Sequence, residues 1–357
     1  MNPVSVSNIQ VQRVQHSRVA KVDFSNLPFG TLFSDHMLIA EYRDGAWGEM
    51  AIRPYGALQL PPSISALQYG ISVFEGLKAH RGPDVGILLF RPWENARRLN
   101  RSAARLSMPE VPEVVFLEGL RELLRQDKGW LPSADQGSLY IRPCLFSVEE
   151  SIRVKPAEQY AFVIFTCPVG SYFTAPVDVL VTDRYVRAFP GGTGEGKPAG
   201  NYAPALLAER DARALGYNTV LWLDGKERRY IEECGVMNVF FVIDGRVITP
   251  DLSGTILPGV TRDSIITLLR DQGTVVEERR ISVEEVFESH ARGRLQECFG
   301  TGTAATVSHV RRIRHHETEL TLPPVEQRKI GPAVREQLLA IMTGRAPDPH
   351  RWTEPVR

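Results

Sequence analysis

The chain has 357 residues, enough for one large or two medium domains, and its apolar and charged fractions are ordinary for a soluble globular protein. Lys plus Arg and Asp plus Glu each total 42, and this balance argues against a nucleic-acid or polyanion binder. No apolar run is long enough to span a membrane, and no signal-peptide core is expected near the start.

Residues 1–29 alternate polar and apolar types and read as an arm leading into the first strand. Strands are predicted over residues 32–42, 71–80 and 87–90. Pro92 suits the first turn of a helix running to about Leu106, with Trp93, Ala96, Leu99 and Ala103 on one face. A second amphipathic helix is expected over 114–124, and buried strands over 138–146 and 161–167. Residues 168–176, with Gly, Ser and Pro, read as a linker. Beyond it, Pro204 and Gly216 bracket a helix, and strands are predicted over 219–223, 230–233 and 238–247, with a hairpin turn at Asp244-Gly245. Residues 261–270 form a helix after the Gly259 turn, Ser282 and Glu285 make a capping box for the next, 296–299 is a strand, and 331–342 is a final helix. Strands and helices do not alternate regularly, which favours two α+β domains over one doubly wound sheet.

Cys144, Cys167, Cys234 and Cys298 include no C-x-x-C pair and read as buried free thiols in a reducing compartment. The histidines show no metal-ligand spacing, so no metal is expected, and His315 and His316 are assigned to a solvated turn.

Lysine is scarce, which makes Lys197 conspicuous in Gly191-Gly-Thr-Gly-Glu-Gly-Lys-Pro198. The stretch nearly matches a P-loop, but Pro198 stands where Ser or Thr would hold magnesium, and proline has no N–H to offer a phosphate. From these residues alone, Lys197 is an accident of composition, a damaged nucleotide site or a lysine with another job. Three other segments offer anion contacts: Arg91 at a strand-to-helix junction, the turn Leu257-Pro-Gly-Val-Thr-Arg262 opening a helix, and Gly300-Thr-Gly-Thr-Ala304. A lysine with a single phosphate and no metal is what pyridoxal 5′-phosphate requires, because an amine bonds its aldehyde and the phosphate anchors the ring. The ring nitrogen then needs an acidic partner, and Glu232 and Glu233 end an apolar strand. The competing class is a metal-free nucleotide-binding module built on the Lys197 loop.

Eight segments occur together in order: Tyr69-Gly-Ile-Ser-Val-Phe-Glu-Gly76, Leu89-Phe-Arg-Pro92, Tyr140-Ile-Arg-Pro143, Cys167-Pro-Val-Gly-Ser-Tyr-Phe173, Lys197-Pro-Ala-Gly-Asn-Tyr202, Glu233-Cys-Gly-Val-Met-Asn238, Ile256-Leu-Pro-Gly-Val-Thr-Arg262 and Gly300-Thr-Gly-Thr-Ala304. With them the chain resembles the branched-chain amino-acid aminotransferases, PLP-dependent enzymes of fold type IV, over about residues 25 to 345. The resemblance implies an α+β, two-domain D-amino-acid-aminotransferase-like fold, with a smaller N-terminal α/β domain and a larger C-terminal pseudo-barrel. The boundaries expected are an arm (1–30), the small domain (31–168), a linker (169–186) and the large PLP-binding domain (187–357).

It also implies roles. Lys197 is the catalytic lysine, Glu233 the partner of the ring nitrogen, with Glu232 pointing away, and Tyr202 the partner of the ring oxygen. Arg91, Val260, Thr261 and Thr303 hold the phosphate. Thr303 and Ala304 bind the α-carboxylate, Phe29, Tyr69, Phe74, Tyr140 and Tyr172 wall an apolar pocket, and Arg142 positions Tyr140 and meets the second carboxylate of glutamate. Residues 147–157, tipped by Ile152 and Val154, resemble a loop that reaches the partner subunit's site, so a cytoplasmic homodimer is implied. The implied reaction exchanges an amino group between L-Leu, L-Ile or L-Val and 2-oxoglutarate, with a different amino acid as the alternative. D-amino-acid aminotransferases and aminodeoxychorismate lyases share the fold, but the Tyr140–Pro143 and Gly-Asn-Tyr202 wording favours the L-branched-chain group. Pro198, Val236 and Arg153 depart from the family's usual residues, and Ala305 and Ser308 occupy the places of a C-x-x-C pair known in animal members.

Overall fold

The computed structural model describes residues 9–83, 86–170, 172 and 175–356. The first eight residues of the arm, and Ser171 and Phe173 of the fourth segment, lie outside the described residues. The chain divides into two compact units. One runs through Tyr172 and adds Gly196–Gly200 and the tail from Ala340; the other takes the two segments between.

The first unit carries β1 (Gln10–Val11), β2 (His36–Arg43), β3 (Ala46–Trp47), β4 (Ala51–Pro54), α1 (Ser65–Tyr69), β5 (Ser72–Phe74), β6 (Leu77–Gly82), β7 (Gly86–Phe90), α2 (Pro92–Arg105), α3 (Glu113–Gln126), β8 (Ser138–Ser147) and β9 (Tyr160–Val169). Its sheet runs β1-β4-β2-β9-β8-β6-β7, largely antiparallel, and ends on a tail strand, Thr353–Val356. Strand alternation sorts the faces. Leu38 and Ala40 of β2 and Phe162 and Ile164 of β9 join Ala96 and Leu99 of α2 and Phe116 and Leu120 of α3 in one core. The intervening Met37, Ile39, Ala161 and Val163 form a separate cluster.

The second unit carries β10 (Val177–Thr182), α4 (Ala205–Ala214), β11 (Thr219–Leu223), β12 (Ile231–Cys234), β13 (Met237–Ile243), β14 (Arg246–Thr249), α5 (Val260–Asp271), β15 (Val276–Glu278), α6 (Val283–Ala291), β16 (Leu295–Gly302), β17 (Thr306–His315) and β18 (Thr318–Thr321). Pairing runs β12-β11-β10-β17-β16-β13, and β13 also pairs with β12, so six strands close on themselves. This is the expected pseudo-barrel, and closure leaves those strands no free edge. Val179, Leu221, Cys234, Val239, Cys298 and Val310 pack within one apolar cluster. Helix α7 (Ile330–Met342) precedes the tail strand β19 (Thr353–Val356).

Several expectations need correction. The strand expected over 71–80 is two strands, because the Glu75 N–H donates to the Pro143 carbonyl and its side chain turns into a buried polar cluster. The hairpin turn expected at Asp244-Gly245, by contrast, is found there, between β13 and β14. The linker expected over 169–186 contains β10, a member of the closed ring. The tail belongs with the first unit, because β19 pairs with β7. Strands β17 and β18 have no counterpart among the expected elements: Val310 and Ile313 both enter the core although three residues apart, because the register shifts between them, and the polar run around Arg311, Arg312, Arg314 and His315 leaves no period of two to read.

Candidate active site

In the first unit the site residues gather on β5, β8 and the Gly196–Gly200 segment. The Lys197 N–H donates to Ser102 Oγ at 2.9 Å, the Phe74 N–H donates to the Lys197 carbonyl at 3.2 Å, and Pro198 bridges to Val73. The segment thus docks between β5 and α2, and Pro198, which donates no N–H, suits a position where its neighbours supply the bonds. Lys197 Nζ lies 4.7 Å from the centroid of the Phe74 ring, and the Arg142 guanidinium lies 4.6 Å from the same ring. Arg142 Nη2 donates to Tyr140 Oη at 3.2 Å. Phe29 meets Tyr140 edge-on at 5.4 Å and Tyr172 at 4.7 Å, which continues the aromatic wall. A Cβ on Gly76 would stand 2.1 Å from Tyr140 Oη, so only glycine fits beneath that hydroxyl.

Tyr69 ends α1, and Val154 lies on the 147–157 loop. The Tyr69 hydroxyl donates to the Ile152 carbonyl and so ties α1 to the 147–157 loop, whose tips Ile152 and Val154 are 71% and 86% exposed. Arg91 caps α2 in a left-handed conformation, with φ of 48°. Its N–H donates to the Trp352 carbonyl at 2.7 Å, and its guanidinium lies 5.3 Å from the Trp352 ring. Sequence reading missed Trp352, which is distant in the chain and carries no motif.

In the second unit, Trp222, Glu233, Asn238 and Thr301 are successive register partners across β11, β12, β13 and β16. Glu233 Oε1 accepts from the Leu257 N–H at 2.8 Å, while Asn238 Nδ2 donates to the Leu257 carbonyl at 2.9 Å. Leu257 is clamped from both sides, and three residues on the chain becomes the first turn of α5 at Val260 and Thr261. Gly259, the cap of α5, passes so near Asn238 that a Cβ would meet Oδ1 at 2.1 Å. Glu233 Oε2 lies 3.3 Å from Arg187 Nε, a second residue missed from sequence. Glu232 turns the other way and accepts from the Thr255 hydroxyl; burial, then Thr255 working against it, leaves its carboxyl above the ordinary range. Tyr202 is half-buried just ahead of α4, and Thr303 and Ala304 form the turn joining β16 to β17.

The donor set fits the cofactor. Glu233 is a buried carboxylate, the kind of group that keeps a ring nitrogen protonated. Thr301 Oγ1 on the same row is buried without a hydrogen-bond partner. The first turn of α5 carries no side-chain cap at Gly259, and a helix start of this kind suits phosphate. Elsewhere, Asp183, His315 and His316 bring ligand atoms within 4.8 Å of one another, a grouping absent from the linear spacing. His316 and Asp183 are exposed.

The amino-transferase class IV family matches residues 72–313. A probable branched-chain-amino-acid aminotransferase of Staphylococcus aureus (strain N315) is 46% identical over 337 residues, 93% of this chain and 94% of that protein. Branched-chain-amino-acid transaminase 1 of Bacillus subtilis (strain 168) is 46% identical over 341 residues, 94% of this chain and 96% of that one. Among solved structures, a branched-chain amino acid aminotransferase of Escherichia coli superimposes with a TM-score of 0.74 at 27% identity, covering 90% of this chain and 99% of that one. A chain so closely matched along nearly its whole length, with a closed barrel bearing Glu233 and a lysine docked on an aromatic wall, belongs to the amino-transferase class IV family, in its branched-chain aminotransferase group.

Proposed function

We propose that this protein moves the amino group of L-leucine, L-isoleucine and L-valine to 2-oxoglutarate, giving branched-chain 2-oxo acids and L-glutamate, with pyridoxal 5′-phosphate as cofactor. The observation that carries this is the 46% identity, over 93% of the chain, to a relative named for branched-chain amino transfer. When bound, the cofactor takes up the electron pair released as the substrate Cα–H bond breaks.

The chain's own residues divide the remaining work. Lys197 Nζ would take the proton from the substrate Cα and pass it to the bound cofactor, and would run that transfer in reverse in the other half-reaction. Glu233 holds the proton on the ring nitrogen, and its neighbours Arg187 and the Leu257 N–H fix the carboxylate for that task. Tyr202 donates to the ring oxygen. Arg91, the Val260 and Thr261 N–H groups and the Thr303 hydroxyl hold the phosphate.

On the substrate side, the Thr303 and Ala304 N–H groups take the α-carboxylate. Phe29, Tyr69, Phe74, Tyr140 and Tyr172 exclude water from an aliphatic side chain. Arg142, stacked on Phe74 beside Tyr140, provides the charge that accepts the γ-carboxylate of glutamate in the other half-reaction. Val154, an exposed apolar tip of the 147–157 loop, serves the site of a second copy, so the working form is a homodimer. Among the described residues no helix is long and apolar enough to cross a membrane, and the cysteines are free thiols; both agree with a cytoplasmic enzyme.

A panel of amino donors with purified protein tests the reading. Leucine, isoleucine and valine should each support glutamate formation, and negligible activity with all three would refute it. The protein should be yellow, lose that colour on borohydride reduction and carry the label on Lys197. ATP binding without a chromophore would favour a nucleotide-binding module instead.

A further inference from the structure

Glu75 has no part in the roles above, yet it places a carboxylate in the interior of the first unit. It sits in the two-residue connection between β5 and β6 and is 0% exposed. Arg98 Nε and Nη2 donate to its two oxygens at 2.7 and 2.8 Å, and Asn95 Nδ2 donates at 2.8 Å. Asn95, Arg98 and Ser102 stand on α2 at intervals of three and four residues, a buried polar stripe beside the apolar one. The stripe leads to the lysine. Ser102 Oγ donates to the Arg98 carbonyl at 2.9 Å and accepts the Lys197 N–H at 2.9 Å. On the other side Phe74, the residue before Glu75, donates its N–H to the Lys197 carbonyl and lays its ring beside Nζ.

A buried ion pair is a poor stabiliser, because removing both charges from water offsets most of their attraction, and apolar residues of similar volume serve a core at least as well. The pair therefore needs another reason to be here, and the hydrogen-bonded path to Lys197 supplies one. We propose that Glu75 is a positioning residue for Lys197: through Arg98 and Ser102 it fixes the lysine backbone between β5 and α2, and its carboxylate balances the Arg98 charge felt by the lysine amine. This rests on the amino-transfer reading given above.

Burial pushes the Glu75 carboxyl up, but Arg98 foremost, and then Lys197, hold it below the ordinary range. Among the described residues, the charged and titratable groups facing this part of the unit are Glu75 from the β5–β6 connection, Arg98 from α2, Tyr140, Arg142 and Cys144 from β8, and Cys167 from β9.

Three variants separate positioning from structural support. Glu75→Gln leaves Arg98 uncompensated and should move the pH midpoint of the cofactor's visible absorption to the acid side by about one unit. Arg98→Met leaves Glu75 uncompensated and should move that midpoint to the alkaline side. Either single variant strands a buried charge and can fail to fold, so the neutral pair E75Q/R98M is the third. It should keep a midpoint near that of the wild type while kcat falls about tenfold with little change in KM, as loss of orientation predicts. Folded single variants with an unmoved midpoint would overturn the proposal, and so would a folded double variant with wild-type kcat. Failure of the amino-transfer reading itself looks different: the wild-type protein would then show neither the absorption nor the activity.

Discussion

His80 shows how one buried side chain sets a property of the whole protein. It lies on β6 at 5% exposure with Nε2 unbonded, and burial, with the nearby Lys78 ammonium, drives its imidazole from 6.5 down to about 3. The unfolded chain takes up a proton near pH 6.5 that the native state refuses. The stability due to this group is therefore complete above that pH and is lost as pH falls toward 3. The loss should run at about 1.4 kcal/mol per pH unit. Thermal denaturation between pH 7.5 and 5 checks this: His80→Gln should flatten the acid-side decline, and parallel curves for variant and wild type would contradict it. Lys197→Ala tests the other kind of residue, one that serves chemistry more than stability. Amino transfer should fall at least about a hundredfold, the visible band should vanish, and Tm should stay within about 3 °C of the wild type.

Among elements, α6 has the clearest cap. Ser282 Oγ accepts the Glu285 N–H at 3.1 Å, the first half of the capping box its sequence predicts. The second half is replaced: the Glu285 carboxylate pairs with Arg279 at 2.6 Å instead of returning to the cap. Ser282→Ala should cost about 1 kcal/mol, read as a lower urea midpoint with an unchanged m-value. Elements with strong local signals, such as α2 behind Pro92, α5 behind Gly259 and the strands β8 and β9, are legible in the sequence. Elements defined by distant partners are not. β5 and β6 look like one strand until Glu75 is seen turning into α2, and the β17 alternation is broken by arginines that bond elsewhere: Arg311 and Arg312 both reach Asp178 of β10. The same divide runs through the site. Lys197, Glu233 and the Gly259 turn announce themselves by local motif, whereas Arg187, Trp352, Arg98 and Ser102 act through contacts that linear order hides.

For the whole molecule, the tail carries more than its length suggests. β19 completes the edge beyond β7, and the Trp352 carbonyl accepts the Arg91 N–H while its ring lies against the Arg91 guanidinium. Deleting residues from 351 onward should lower Tm by about 4 °C or more. It should also weaken retention of pyridoxal 5′-phosphate, measured by dialysis and absorbance. Retention equal to that of the full chain would show that Arg91 needs no support from the tail.

The Gly196–Gly200 excursion also bears on how such a chain can be recombined. Genes are shuffled by single breakpoints, and one near residue 172 would seem to exchange the C-terminal unit whole. Here it would instead take Lys197 from one parent and its seat, Phe74 and Ser102, from the other. A working chimera must transplant the excursion with the N-terminal unit, as a separate insert. The lysine is thus inherited with one part of the sequence and used as a piece of another.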